Sequence, residues 1–173
     1  MFNSESLPGE ITALVSVVIN KISIRVAQER DLTVAFELER TNFSRYALSA
    51  RQLRYHLRNE GAVFLVAERD GIVVGDGIGL IRKHRGGVTG RVYSLVVNSA
   101  FRGEGIGGRL FEAVVRALEK RGSRRIYLEV AQGNRGAIRI YERFGFRQVG
   151  ILCDYYARGE HAIHMMFEPK SGG

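Results

Sequence analysis

The chain has 173 residues, of which 45% are hydrophobic and 25% are charged, and its formal net charge is +8. These values are ordinary for a globular protein and argue against a disordered, collagen-like or membrane-embedded chain. The excess of Lys and Arg favours either a solvated surface or polyanionic partners such as a phosphorylated cofactor. Because the basic residues are scattered along the chain, nucleic acid is not an expected partner.

The cysteine and histidine content argues against disulfides and metal sites. Cys153 is the only cysteine, so neither an internal disulfide nor a cysteine zinc site can form, which fits a reducing cytoplasm. The strand-like run from Gly150 to Asp154 around it predicts a small buried core residue rather than a nucleophile. The four histidines form no recognised ligand pattern, so no metal is expected.

The sequence predicts one domain over residues 21–168, with an N-terminal extension of residues 1–20 and a C-terminal tail of residues 169–173. The apolar run from Ile11 to Ile19 is too short to span a membrane and has no signal-peptide flanks. We therefore expect a cytoplasmic protein without membrane attachment, present as a monomer or homodimer.

The first half of the domain is predicted to hold a strand, two helices and an antiparallel meander. Ile22–Val26 alternates polar and apolar residues as a half-buried strand does. Asp31 and Ser49 are the predicted N-caps of the two helices. An Asp-Gly pair at Asp70 predicts a tight hairpin inside the meander. Its three strands are predicted over Ala62–Ala67, Ile72–Ile81 and Val88–Val97.

Helices and strands alternate in the second half. Apolar residues recur at helical spacing over Ile106–Leu118, and Gly122 is predicted to end this helix. Arg125–Val130 is predicted to be a strand that carries Glu129 on the face opposite its apolar residues. The remaining elements are a helix over 134–144 and strands over about 146–154 and 160–167. The predicted order is β-α-α-β-β-β-α-β-α-β-β, a mixed α/β (α+β) domain.

A glycine-rich loop before the long helix is the segment most typical of ligand binding. Gly103–Gly108 contains four glycines in six residues. Glycines let a backbone approach a ligand, and the unpaired N–H groups of a first helical turn attract phosphate. A plain surface turn is the structural alternative. A Walker loop is excluded because the Gly-Lys-Ser/Thr sequence is absent.

A dinucleotide-binding fingerprint fits these glycines but not their surroundings. Gly103, Gly105 and Gly108 spell G-x-G-x-x-G, and Glu129 follows 21 residues later, where a ribose-binding acid would stand. However, five residues separate the preceding strand from the first glycine, whereas a Rossmann turn follows its strand directly. Only 43 residues follow Val130, too few for the rest of a doubly wound sheet.

The loop also matches the pattern Q/R-x-x-G-x-G/A, with Arg102, Gly105 and Gly107 at the fixed positions. In this it resembles the pyrophosphate loop of the GNAT superfamily of N-acetyltransferases, and the resemblance extends over residues 22–167. Three further blocks match in order and spacing. They are Tyr93–Val97, the pattern L-E-V-x(3)-N-x(2)-A-x(3)-Y-x(3)-G-F from Leu128 to Phe146, and Asp154-Tyr-Tyr156 before Glu160.

The resemblance implies the GNAT fold and acetyl-CoA as co-substrate, with no metal. It implies Glu129 as general base and Tyr141 as general acid toward the departing thiolate. The structural alternative for Glu129 is a surface ion pair, and the structural alternative for Tyr141 is a tyrosine that only packs in the core. Tyr155 and Tyr156 are implied to line the acceptor pocket. The residues implied to bind acetyl-CoA are Leu95, Val96, Val97, Arg102, Gly103, Glu104, Gly105, Ile106, Gly107, Gly108 and Asn134.

The acceptor is the least defined part of the resemblance. Among GNAT enzymes the chain looks most like the RimI-like group, which implies a protein or peptide N-terminal α-amine. The Phe-Pro-Trp cluster usual in that group is replaced here by Phe43–Ser49, in the segment that shapes the acceptor site. A small-molecule amine, such as a polyamine, antibiotic or amino acid, stays open as acceptor. A non-catalytic acyl-CoA sensor or interaction module is the alternative outside enzymes.

The expected mechanism is direct attack of the amine on acetyl-CoA. The sequence shows no set of nucleophile, base and orienting residue that would form an acetyl-enzyme.

Overall fold

Alternating apolar residues build seven strands that pair into one mixed sheet in the order β1-β2-β3-β4-β5-β7-β6. The computed structural model describes residues 21–169, so the predicted extension and residues 170–173 of the predicted tail lie outside it. The strands are β1 (Ile22–Val26), β2 (Ala62–Arg69), β3 (Ile72–His84), β4 (Gly87–Val97), β5 (Arg125–Ala131), β6 (Arg147–Ala157) and β7 (Glu160–Phe167). The helices are α1 (Leu32–Phe43), α2 (Ala50–Arg58), α3 (Ile106–Lys120) and α4 (Arg135–Arg143).

The observed order of elements confirms the prediction, including the two helices before the meander. The β2–β3 hairpin turns at Asp70 and Gly71, whose φ angles of 52° and 83° are those of a tight two-residue turn. Gly122 follows α3 with φ 87°, the left-handed geometry that ends helices. Local turn chemistry therefore fixes several element boundaries.

Of the two predicted N-caps, one is confirmed and one is wrong. The Ser49 hydroxyl accepts a hydrogen bond from the Gln52 N–H and begins α2 as predicted. Asp31 stands before α1 but does not cap it. Its carboxylate instead accepts the Gln28 N–H at 2.7 Å and two hydrogen bonds from Arg25 at 2.7 and 2.9 Å. The Arg25 guanidinium lowers the pKa of this buried carboxyl, which ties β1 to the turn before the helix.

Two hydrophobic clusters lie on opposite faces of the sheet. The larger packs α3 and α4 against one face, with Phe111 and Leu110 at its centre and fully buried. The smaller packs α1 and α2 against the other face, around Leu53 and Ile78. This layered arrangement buries both sides of the central strands.

Cys153 is exposed, so the prediction of a buried core cysteine is wrong. It lies on β6, which is an edge strand of the sheet beyond β7. Its neighbours on alternate positions, Val149 and Ile151, are also exposed, at 42% and 50%. The alternation of apolar residues predicts the strand correctly. It does not show whether the face of β6 that carries Cys153 is covered by another element.

A wedge opens in the sheet between β4 and β5. These strands run parallel and pair only from Thr89 to Arg91 on β4. Beyond Arg91, β4 continues to pair with β3, while β5 pairs with β7. The separation leaves one edge of β4 without a neighbouring strand, and this edge forms a wall of the candidate site.

Two carboxyl groups are buried between the sheet and α1. Asp76 is fully buried on β3, and neither of its oxygens has a hydrogen-bond partner among the described residues. Burial and the nearby Glu39 raise its pKa well above the usual value. Glu39 is itself 1% exposed, and burial raises its pKa, although Ser94 and the Leu48 N–H donate to it. Ionising Asp76 therefore costs folding free energy.

We expect Asp76→Asn to stabilise the fold in a pH-dependent way. When the pKa of a carboxyl is higher in the folded state than in the unfolded state, the folded state loses stability as the pH rises from the unfolded pKa to the folded pKa. The Asn amide cannot ionise, so at pH 8 the Tm of the variant should exceed that of the wild type by about 5 °C. At pH 4 the difference should shrink, because the folded carboxyl then holds its proton and so does roughly half of the unfolded chain. Thermal melts at the two pH values measure this.

Asp70→Asn is the matched control, since Asp70 is an exposed turn residue and Asn tolerates its backbone angles. Its Tm difference from the wild type should be small at both pH values. An Asp76→Asn shift that is the same at pH 4 and pH 8 would exclude ionisation as the cause.

Candidate active site

The wedge between β4 and β5 holds a cavity of about 510 Å³. Strand divergence forms its two walls, and the segment after α1, the start of α4 and the β6–β7 hairpin close its sides. Six residues predicted from the sequence line it: Leu95, Glu129, Asn134, Tyr141, Tyr155 and Tyr156. The structure thus brings both predicted acid–base residues and both predicted acceptor-site tyrosines to one cavity.

The free edge of β4 presents backbone donors to the wedge. The Asn98 N–H donates to Val74 on β3 at 2.8 Å. Because N–H direction alternates along a strand, the Val96 N–H also points to β3, and those of Leu95 and Val97 point to the opposite edge. The Val96 N–H is therefore not a donor to the wedge, and the Val96 side chain is buried.

The glycine loop stands at the N-terminus of α3. Gly103 and Gly105 have φ angles of 84° and 78°, and a Cβ at either position would meet no protein atom within 4 Å. The first helical hydrogen bond runs from the Arg109 N–H to Gly105. The N–H groups of Ile106, Gly107 and Gly108 thus have no acceptor within the helix. This open set of donors fits a pyrophosphate.

Side chains in the loop fasten it to neighbouring elements. Arg102 donates to Asn42 on α1, and Glu104 pairs with Arg69 on β2 at 2.6 Å. The Ile106 side chain is 1% exposed and anchors the start of α3 in the larger cluster. These three side chains of the loop are therefore engaged with the protein, whereas the N–H groups of the first helical turn have no acceptor within the helix.

Asn134 caps α4. Its Oδ1 accepts the Ala137 N–H at 3.1 Å, and the residue lines the cavity. The cap leaves the amide NH2 group as the part of the side chain that can donate to a ligand.

Tyr141 is both a core residue and a cavity residue. It is 9% exposed and packs on Phe111, with ring centroids 4.6 Å apart, inside the larger cluster. Burial, followed by the nearby Tyr156, raises the pKa of the phenol to about 12. The hydroxyl therefore keeps its proton at neutral pH and can act as a donor.

Glu129 lies on β5, on the face opposite Leu128, with a side chain that is only 11% exposed. Its Oε2 accepts from Arg91, with N–O distances of 2.7 Å to Nε and 2.6 Å to Nη2. Its Oε1 lies 3.2 Å from Nδ1 of His164. The carboxylate is thus held between β4 and β7, with Oε2 on Arg91 and Oε1 near His164.

Aromatic and charged residues surround the mouth of the cavity. The Arg91 Nη2 also donates to the Tyr155 hydroxyl at 2.7 Å, and the Tyr155 and Tyr156 rings meet edge to face at 4.9 Å. Tyr46, from the segment after α1, lies 5.6 Å from the Tyr156 ring. Arg45 and Tyr46 both donate to Glu160 at the β6–β7 hairpin, so two distant parts of the chain meet there.

Sequence reasoning missed Arg91, His164 and Glu39 as residues of this region. Arg91 interrupts an apolar strand next to the matched block, and His164 interrupts the apolar run of β7. Such interruptions are the signal that could have marked both residues. Their connection to Glu129 depends on the β4–β5 and β5–β7 pairings, which the linear order does not specify.

Between residues 21 and 169, no helix is long and apolar enough to cross a membrane. Within the same range, no three His, Cys, Asp or Glu side chains come together where a metal ion could be held.

Comparison with known proteins identifies the family. The family model described as "Acetyltransferase (GNAT) family" matches residues 25–146. An N-alpha-acetyltransferase of Sulfurisphaera tokodaii is 38% identical over 119 residues, which are 64% of this chain and 71% of that protein.

Solved structures agree on the fold. The ribosomal-protein-S18-alanine N-acetyltransferase from Escherichia coli superposes with a TM-score of 0.75 and 24% identity, covering 88% of this chain and 97% of that one. Arabidopsis thaliana NAA60 in complex with acetyl-CoA gives a TM-score of 0.77 at 21% identity, with 87% and 100% coverage. The predicted fold class and family are therefore confirmed, and this chain belongs to the GNAT family of acetyltransferases.

Proposed function

We propose that the protein transfers acetyl from acetyl-CoA to the N-terminal α-amine of a protein or peptide, and that residues 21–168 form the catalytic domain. The observation that carries this proposal is a single cavity in the β4–β5 wedge, lined by both Glu129 and Tyr141. Similarity to a named N-alpha-acetyltransferase supports the choice of acceptor. The lone, exposed Cys153 suits a protein of the reducing cytoplasm.

Backbone donors would hold the cofactor. The amides of Gly103 to Gly108 at the α3 N-terminus suit its pyrophosphate. The Leu95 and Val97 N–H groups on the free β4 edge suit an extended arm laid along the strand, with the Asn134 amide beside it. A donor on that edge also suits an oxygen that gains negative charge during transfer.

Glu129 and Tyr141 would move the protons. Acetyl-CoA supplies an activated acetyl group as a thioester. Glu129 accepts a proton from the incoming ammonium, directly or through water, so that the amine can attack the acetyl carbon. Tyr141 donates its phenolic proton to the departing sulfur as the carbon–sulfur bond breaks, and the tyrosinate recovers a proton from the newly acetylated nitrogen. The Tyr141 pKa of about 12 keeps the phenolic proton in place until the sulfur gains negative charge.

The charges of the cavity favour a singly charged acceptor over a polycation. Each carboxylate that lines the cavity has a partner: Glu129 pairs with Arg91, Glu160 with Arg45, and Glu39 accepts from Ser94. No unpaired acidic side chain among the described lining residues is left to select a polyamine. The open mouth, lined by Tyr46, Tyr155 and Glu160, suits a chain that extends outward from its amine.

A panel of acceptors tests this proposal. Release of CoA thiol should occur with unblocked N-terminal peptides and should disappear when the α-amine is formylated. Polyamines, aminoglycosides and free amino acids should give rates at least about tenfold lower, because they lack contacts along the mouth. Faster turnover of small amines than of every peptide would transfer the assignment to a small-molecule acetyltransferase.

A further inference from the structure

A second cavity, of about 490 Å³, lies on the α2 side of the sheet. It is lined by α2, the end of β3, and the neighbouring parts of β4, β5 and β7. Glu129 and Arg91 line this cavity as well as the active-site wedge. Glu129, the proposed base, therefore borders the active-site cavity on one side and the second cavity on the other.

His164 occupies that second side. It pairs with Glu129 in the β5–β7 register, so both side chains stand on the same face of the sheet. Its ring stacks on Tyr127 with centroids 5.3 Å apart and planes inclined by 6°. The stacked ring has its Nδ1 3.2 Å from Glu129 Oε1.

The Nδ1 atom of His164 is buried and has no well-aligned hydrogen-bond partner among the described residues. A contact of 3.2 Å with a carboxylate is short enough for proton transfer after a small rotation of the ring. The side chain is 28% exposed and lines the second cavity, which gives its ring a route to solvent.

The other groups around this cavity cannot replace His164. The titratable and charged groups that face it are Tyr55 and His56 of α2, Arg82 of β3, Arg91 of β4, and Tyr127 and Glu129 of β5. Of the described residues, only Arg91 and His164 are in ionic contact with the Glu129 carboxylate. Arginine stays protonated and cannot accept a proton, whereas a neutral imidazole has one nitrogen that can accept a proton and one that can donate a proton.

We propose that His164 relays the proton taken up by Glu129 into the second cavity, away from the acetyl donor. The proton on Glu129 Oε1 passes to Nδ1 of His164 while the proton on Nε2 leaves to water. Proton exchange with solvent through the second cavity then returns the ring to the tautomer that carries its proton on Nε2, so that both groups return to their starting state. His164 acts through Glu129 and is therefore a positioning residue. This inference rests on the proposed role of Glu129 as base.

Substitution with imidazole rescue tests the relay. His164→Ala should lower kcat about tenfold, while KM for acetyl-CoA and for peptide stays within about twofold because neither ligand contacts the ring. Added imidazole should restore most of the lost kcat, since the cavity of about 490 Å³ has room for it. His164→Gln should be as slow as His164→Ala without imidazole, because an amide can hydrogen-bond to Glu129 but cannot carry a proton.

Three comparisons separate the explanations. His84→Ala, in the exposed end of the β3–β4 hairpin, should behave as the wild type with and without imidazole. Wild-type kcat in His164→Gln, or a slow His164→Ala enzyme that imidazole does not rescue, would overturn the relay. Glu129→Gln should be slow and insensitive to imidazole. A Glu129→Gln enzyme with wild-type kcat would instead overturn the base assigned under the proposed function.

Discussion

Gly105→Trp is expected to abolish acetyl-CoA binding while the domain stays folded. Gly105 lies in the left-handed region at the N-terminus of α3, and the space around its Cα holds no protein atom within 4 Å of a Cβ. An indole placed there has room on the protein side and would occupy the position proposed for the pyrophosphate. Calorimetry should show at least about a hundredfold weaker Kd, a loss of about 2.7 kcal/mol.

The control for this variant lies at the other end of the same helix. Gly122 also has a left-handed φ, of 87°, and open space around it, but it is remote from the loop. Gly122→Trp carries a similar backbone strain of about 1–2 kcal/mol and should bind acetyl-CoA as the wild type does. Equal affinity in Gly105→Trp and Gly122→Trp would show that the loop does not hold the cofactor.

Tyr141→Phe is expected to lower kcat by about a hundredfold and to leave the Kd for acetyl-CoA within about twofold. The substitution removes the phenolic proton and retains the ring that packs on Phe111. Thermal stability should change little for the same reason. Steady-state kinetics, calorimetry and a thermal melt on one preparation distinguish loss of a proton donor from loss of structure.

The pH dependence provides an independent test of Tyr141. Because burial raises the pKa of Tyr141 to about 12, the protonated phenol should persist up to about pH 10. At lower pH values, ionisation of the phenol should therefore not reduce wild-type kcat. Tyr55→Phe, at a position that is 63% exposed, is the matched control and should be fully active. A Tyr141→Phe enzyme with wild-type kcat would remove Tyr141 from the mechanism.

Local signals in the sequence predict the elements and the loop well. The Asp-Gly pair, the Ser49 cap and Gly122 act through neighbouring residues, so their effects are visible in a short window. The glycines of residues 103–108 are likewise informative because positive φ and an unpaired helix N-terminus are local properties. These signals predict a strand that carries Glu129 and a helix that carries Tyr141, whereas the expectation that the two side chains share one site rests on the resemblance to GNAT enzymes.

Features that depend on tertiary pairing could not be predicted. The contact between His164 and Glu129 needs β7 to lie beside β5, although β6 comes between them in the chain. Asp31 is diverted from capping α1 because Arg25 faces it from β1. Cys153 is exposed because β6 lies at an edge of the sheet. In each case the feature is decided by residues that are distant in the sequence, which a short stretch of sequence does not reveal.

N-terminal acetyl transfer is tested most directly by locating the acetyl group on a product peptide by mass spectrometry. The substrate is a peptide with a free α-amine and an internal lysine, incubated with acetyl-CoA and either the wild type or Tyr141→Phe. The proposed function predicts that the acetyl group is on the α-amine and absent from the lysine, and that the variant forms this product about a hundredfold more slowly. Acetyl on the lysine side chain, or equal α-amine acetylation by both proteins, would contradict it.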